Sequence, residues 1–178
     1  MAGRREATVG VHCLGGAMNP PTARISNLDY LRKVLSGTLT PTDKSPFNFP
    51  FPIMKTLGFK LVEVSEGTAS VEIEAKTELH SNPMGTIHGG VLCDLADAAI
   101  GIAHFTTLAE GESLASIDLQ INFFRPAWNE RLRAAARPVH RGRTVSRYVC
   151  DITRADGKLV AQVMSTILTL RGEAAQGR

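Results

Sequence analysis

Two hydrophobic periods alternate along the chain, and each change of period predicts an element. Leu28, Leu31, Val34 and Leu35 recur at helical spacing. Asn27 stands where an N-cap is expected and Gly37 where the run should stop, which predicts a short helix. Residues 38–52 carry Pro41, Pro46, Pro50 and Pro52 and predict a loop, with a short turn at 53–57. From Phe59 the period is two. Phe59, Leu61 and Val64 open a strand, Glu66-Gly67 marks a turn, and Ala69, Val71, Ile73 and Ala75 alternate with polar residues. Residues 78–87, with Asn82, Pro83 and Gly85, predict a loop.

The helical period then returns for one long run, from Gly89 to about Leu108. Val91, Leu95, Ala98, Ile102 and Phe105 form one stripe, and Leu92, Ala96, Ala99 and Ala103 fill much of the remaining surface. A helix apolar nearly all round is expected to be buried. Four further strands are predicted near 113–125, 131–140, 144–155 and 158–170. Ala155-Asp156-Gly157-Lys158 reads as the hairpin turn between the last two, and Arg141-Gly142-Arg143 as the turn before them.

This order predicts an α+β fold in which a curved antiparallel sheet wraps around one long central helix. The far edge of such a sheet is open, and pairing with a second copy would cover it. The expected organisation is a flexible tail over residues 1–25, a single domain over 26–172 and a short C-terminal tail over 173–178.

Composition narrows the function classes. Of the 178 residues, 43% are hydrophobic and 21% charged, enough apolar material for a core and too much for a wholly disordered chain. Cys13, Cys93 and Cys150 are too few and too scattered for a disulfide framework or a zinc ribbon, and suit a reducing cytoplasm. The formal charge of +3 and 6% aromatic content do not suggest nucleic-acid binding. Basic residues do gather between Arg125 and Arg147, where they suit either one anionic ligand or a solvated sheet face. Asp94 and Asp97 interrupt the longest apolar stretch, Val91 to Phe105, so no membrane span is expected. Arg4 and Arg5 are followed by no unbroken apolar run, so no secretion signal is expected.

The chemistry concentrates in His80-Ser81-Asn82-Pro83-Met84-Gly85-Thr86-Ile87-His88-Gly89-Gly90 and the helix that follows. Gly89 and Gly90 fall where the first backbone N–H groups of a helix lack partners and where its dipole is positive. Without side chains they let a ligand approach, and such an end can hold a carbonyl oxygen as negative charge builds on it. Asp97, two turns into an apolar helix, is an acid whose burial needs a partner, an interface or a function. Desolvation would raise its pKa toward that of a useful base. Asp94 lies one turn earlier on nearly the same side, and periodicity alone does not choose between them. His88 reads either as a donor to a substrate carbonyl or as a satisfied core histidine. Asn82 reads as a loop amide or a ligand contact.

Taken together, Asn82, Gly85-Thr86-Ile87-His88-Gly89-Gly90 and Leu95-Ala96-Asp97 resemble the PaaI-type acyl-CoA thioesterases of the hotdog superfamily. Ser116 through Pro126 resembles the strand after the helix in that family, Arg141-Gly142-Arg143-Thr144 its later basic turn, and Gly157 through Ala161 its last hairpin. The resemblance spans roughly residues 52–172. It implies the hotdog fold and hydrolysis of an acyl-CoA thioester. It makes Asp97 the catalytic carboxylate, as general base or nucleophile, and Gly89 the backbone donor that polarises the carbonyl, with Gly90 beside it. Asn82 and His88 match polar groups lining the thioester site. Ser116 falls near a small hydroxyl residue that helps position water in some members. Arg125, Arg141 and Arg143, with Thr144, become candidates for the CoA phosphates. No role for Asp94 transfers.

The resemblance also implies sites at the interface of a homodimer, or of a tetramer of two dimers, with the acid arriving from the partner. It requires no cofactor and no metal. Cys93, in the helix beside the site, reads as a packing residue. The sequence has no Gly-x-Ser-x-Gly elbow, phosphate-binding Walker loop or dinucleotide glycine motif. Two other readings stay open: a hotdog hydratase or dehydratase using His88 and Asp97, and a non-catalytic acyl-CoA-binding sensor. The acyl group is not legible.

Overall fold

The computed structural model describes residues 25–45 and 49–176. Apart from Ile25, the expected N-terminal tail lies outside these residues, as do residues 46–48 of the expected loop and the last two residues. Ile25 itself packs against the core.

The first helix, α1 (Asn27–Ser36), ends as expected at Gly37, whose φ of 68° closes it in the left-handed region. Its N-cap is Ser26 and not Asn27: the Ser26 hydroxyl accepts from the Asp29 N–H. Asn27 instead donates to the carbonyls of Phe105 and Leu108, tying α1 to the far end of the long helix. A second short helix, α2 (Pro52–Leu57), occupies the expected turn with proline in its first turn, where the lost N–H costs nothing.

The strands follow the alternation closely: β1 (Lys60–Ser65), β2 (Thr68–Ala75), β3 (Ser113–Phe123), β4 (Glu130–Arg141), β5 (Val145–Arg154) and β6 (Leu159–Leu170). Between β2 and β3 lie a four-residue helix, α3 (Thr77–His80), where the sequence predicts only a loop, and the long helix α4 (Gly89–Phe105). The six strands form one antiparallel sheet in the order β1-β2-β4-β5-β6-β3. The chain leaves β2, runs through α4 and enters at the opposite edge as β3, so the helix spans the concave face.

Val71, Ile73, Leu132, Ala134, Ile152 and Val163 point at α4, which answers with Leu95, Ala96, Ala99, Ile100 and Ala103. Each fully buried Ile or Leu contributes roughly 1.5–3 kcal/mol by its removal from water. The helix is not buried all round, however. Gly90, Asp94 and Asp97 are exposed and Gly101 half-exposed. At intervals of four, three and four residues they make one open stripe.

The outer face of the sheet carries the charges. Arg131 pairs with Glu74 at 2.7 Å, Arg133 with Glu63, and Arg147 with Asp118 at 3.8 Å. Much of the basic cluster between Arg125 and Arg147 is thus an ion-paired sheet face, whose exposed pairs contribute little each.

The last turn of α4 carries a buried polar group. His104 meets the Tyr148 hydroxyl at 3.3 Å and the Thr169 hydroxyl at 3.0 Å. Burial, aided by the charge of Arg141 and opposed by Glu112, lowers the His104 pKa to about 4. Burial raises that of Tyr148 to about 12. The imidazole is therefore neutral, one nitrogen donating and the other accepting. Between pH 6.5 and about 4 the unfolded chain binds a proton at this position and the folded chain does not. Stability should therefore fall as pH drops through this window, by about 3 kcal/mol at most from this group. Denaturant titrations at pH 7 and pH 4.5 should show a smaller loss for His104→Gln than for the wild type.

Candidate active site

A bulge in β3 arranges the acid side of the site. Ser116 pairs with Ile167 and Asp118 with Thr166, leaving Ile117 as the extra residue. Without the bulge, Ser116 and Asp118 would share a face. With it, Ser116 turns to α4 while Asp118 turns to the outer face and accepts from the Thr166 N–H at 2.8 Å and its hydroxyl at 2.7 Å. The Ser165 hydroxyl donates to the Asp118 carbonyl at 2.7 Å, pinning the bulge further. Ser116 then donates to Asp97 Oδ1 at 3.3 Å.

Helical period leaves open whether Asp97 is buried, paired or at an interface, and the structure places it on the open stripe of α4, reached by solvent from one side. Desolvation by the atoms crowding its other sides still raises its pKa above the usual carboxylate range. The Ser116 hydrogen bond opposes the rise and the charge of Asp94 adds to it. Asp94 is thereby placed as the electrostatic neighbour of Asp97. Cys93 is half-buried, and burial, then the two acids, push its thiol pKa up, which suits packing and not nucleophilic attack.

The expected carbonyl-binding end is built by a loop and the start of α4. Asn82 spends most of its hydrogen-bonding capacity on the loop. Its Oδ1 accepts from the N–H groups of Met84 at 2.9 Å and Thr86 at 3.3 Å, and its Nδ2 donates to the Thr86 hydroxyl at 2.9 Å. Gly85 closes the turn at a φ of 75°. The Ile87 N–H donates to the Ala127 carbonyl and the His88 N–H to the His80 carbonyl, fixing the approach to the helix. His88 is its N-cap: Nδ1 accepts from the Gly90 N–H at 2.8 Å. This defines the tautomer, with the proton on Nε2. It also explains the glycine, since a Cβ at residue 90 would stand 2.9 Å from Nδ1.

Capping consumes the Gly90 N–H. The Val91 and Leu92 N–H groups turn back to the His88 carbonyl. Among the described residues, no hydrogen bond engages the Gly89 N–H. It opens on a cleft of about 410 Å³ lined by Asn82, Ile87, Gly89, Leu92, Phe123 and Arg125, among others. The cleft walls mix apolar side chains such as Leu92 and Phe123 with polar ones such as Asn82 and Arg125, with a free donor at a positive helix end, an arrangement suited to holding a polarised carbonyl.

The expected phosphate-binding residues divide. Arg125 borders the cleft and donates to the Leu159 carbonyl at 2.8 Å. Arg141 pairs with Glu66 at 3.1 Å, beside the turn that Thr106 holds at the far end of α4. Arg143 and Thr144 belong to the same end, where Thr144 accepts from the Thr169 N–H. The 17 residues of α4 span about 25 Å, so one chain does not bring these groups to Arg125. Nor does one chain unite Gly89 and Asp97. They are eight residues apart on one helix, about 12 Å along its axis.

Sequence reasoning passes over Phe123 and Leu92 as cleft residues. A signal is present: the inward phase set by Leu114 and Ser116 resumes at Leu119, Ile121 and Phe123, one residue out of step, which marks the bulge and turns Phe123 to the helix.

Comparisons with known proteins identify relatives of this chain. Residues 84–161 match the family model described as the thioesterase superfamily. Acyl-coenzyme A thioesterase 13 from Pongo abelii is 33% identical over 104 residues, covering 57% of this chain and 73% of that protein. The PaaI protein from the phenylacetic acid degradation operon of E. coli superposes with a TM-score of 0.63 at 26% identity, covering 69% of this chain and 87% of that one. A mutant form of the phenylacetic acid degradation protein PaaI from Thermus thermophilus superposes with a TM-score of 0.62 at 32% identity, covering 67% of this chain and 100% of that one.

The electrostatics around Asp97 are testable by carboxylate NMR titration. Asp94→Asn should lower the Asp97 pKa and Ser116→Ala should raise it further. A downward shift in Ser116→Ala would contradict the assigned hydrogen bond.

Proposed function

The chain belongs to the thioesterase superfamily, and we propose that it hydrolyses acyl-CoA thioesters at a site completed by two copies of itself. One observation carries this reading. The free carbonyl-binding donor, Gly89 N–H, and the raised-pKa acid, Asp97, sit about 12 Å apart on one helix, too far to act on the same carbonyl.

The edge strand β3 supports the completion. It pairs with β6 on one side only, and most of its residues are exposed. Pairing two such edges antiparallel about a two-fold axis covers both. It also reverses one protomer's long helix relative to the other. Asp97 and Ser116 of one copy then approach the Gly89 end of the second. The same rotation brings Arg143 and Thr144, beside the Ser113 end of β3, toward Arg125 of the partner, which suits the phosphates of CoA. Arg141 lies at that same end. A second copy laid over the open stripe removes water from Asp97 and raises its pKa further.

In the proposed reaction the thioester oxygen accepts the Gly89 N–H and the acyl chain enters the cleft beside it. Asp97 takes a proton from water as the water oxygen bonds to the acyl carbon. The tetrahedral intermediate collapses, the C–S bond breaks, and the thiolate leaves as CoA and is reprotonated. Direct attack by Asp97 would instead give a mixed anhydride, which water then opens to the same products. His88 orients the helix end through Nδ1 and presents Nε2–H as a further donor. With Nδ1 committed to its cap, His88 offers no free ring base for a hydratase mechanism, which favours hydrolysis.

Thiol release from acetyl-, hexanoyl-, palmitoyl-, phenylacetyl- and benzoyl-CoA should be detectable with at least one ester. Asp97→Asn, which keeps the shape and removes the base, should fold normally and lose roughly 10²–10⁴-fold in rate. Near wild-type turnover in that variant would overturn the assignment. CoA binding without turnover in the wild type would favour an acyl-CoA sensor.

A further inference from the structure

We propose that Phe123 discriminates among acyl groups by their bulk at the carbon next to the thioester carbonyl. The inference rests on the thioesterase reading and deepens it. Phe123 is the last residue of β3, and the bulge at Ile117 turns it toward α4. Its ring stands against Gly89: a Cβ on that glycine would lie 2.8 Å from the ring Cζ and 3.1 Å from Cε1. Only glycine fits beneath the ring as it stands.

The backbone that carries the ring is held firmly. Phe123 pairs with Ala161, and the N–H groups of Phe124 and Arg125 both donate to the Val160 carbonyl, at 2.8 and 3.1 Å. The side chain is nevertheless 55% exposed and borders the same cleft as the free Gly89 N–H. Because the ring lines the cleft beside Gly89, a group held on the Gly89 N–H meets it there.

The distances make that contact specific. A carbonyl oxygen about 2.9 Å from the Gly89 nitrogen places its carbon about 4 Å from that nitrogen. The ring already touches the glycine Cα region, so it meets a substituent of that carbonyl carbon. On the sulfur side every CoA thioester is identical. Variation occurs only on the acyl side, where a linear chain presents a methylene and a branched one a methine or quaternary carbon. The ring therefore admits the first and crowds the second.

The test compares kcat/KM for butyryl-CoA and 2-methylpropanoyl-CoA, which have the same number of carbons, using the full chain and its Phe123→Leu and Phe123→Ala variants. The wild type should prefer the linear ester. The linear-to-branched ratio should fall about tenfold in Phe123→Ala, in line with what one methyl group is worth in a shaped pocket, and to an intermediate value in Phe123→Leu. If Phe123→Ala does not fold, Phe123→Leu, which keeps an apolar side chain, carries the same comparison. An unchanged ratio, or no preference in the wild type, overturns the inference and leaves Phe123 as packing on the helix end. No hydrolysis of any ester by the wild type overturns the thioesterase reading itself, and this inference with it.

Discussion

Helix α4 can be solvated on only one narrow stripe. Its other faces carry Leu92, Leu95, Ile100, Ile102 and Phe105 together with four alanines, and water must be kept from them. A sheet wrapped over the helix does this, and the shape of the sheet, the placement of β3 at its edge and the position of the site all follow. The small residues matter as much as the large ones. Ala96, Ala99 and Ala103 are fully buried and let the strands come close to the helix axis. The stripe left open by the sheet holds Gly90, Asp94, Asp97 and Gly101, so the helix's exposed acids lie together on the surface that the β3 edge adjoins.

From that constraint comes the division of labour along the helix. Its N-terminus is anchored by His88 and by a loop that Asn82 organises, so that one backbone donor, Gly89 N–H, is left over. Its middle carries Asp97, oriented by Ser116 through the bulge in β3. A rigid helix keeps these two ends of the chemistry about 12 Å apart however the surrounding loops move. On the proposed reading, rigidity serves precise placement and calls for a partner to bring the two ends together. An edge strand with one unpaired side is the natural place for that partner, since pairing there satisfies backbone groups and covers the acids in one step.

Much of this was legible in the residues. The long helix, the six strands and the turn at Gly157 follow from period and turn chemistry, and the spacing of Asn82, His88-Gly89-Gly90 and Asp97 pointed to the loop and helix that border the cleft. What escaped notice depended on tertiary context. Ser26 and Asn27 are both good cap residues, and which one caps depends on Asn27 having the carbonyls of Phe105 and Leu108 within reach. Helical period could not say whether Asp97 faces the core or an open surface, because whether a stripe stays open depends on how far the sheet wraps. The arginines between Arg125 and Arg147 looked like one cluster, although strand alternation and the length of α4 send them to different faces and ends. Phe123 looked like an ordinary strand residue because a single bulged position reverses the facing of all that follows it.

The most direct measurement of a shared site is subunit complementation. Gly89→Pro removes the carbonyl donor at the first helical position, where proline is tolerated, and requires the half-exposed Phe123 side chain to swing aside. Asp97→Asn removes the acid. Each variant alone should be inactive. Co-expressed chains that pair at random should recover about a quarter of wild-type thiol release, because half the dimers are mixed and each mixed dimer keeps one intact site. Mixed dimers, separated by two affinity tags, that show no activity would contradict a site built from Gly89 of one chain and Asp97 of another.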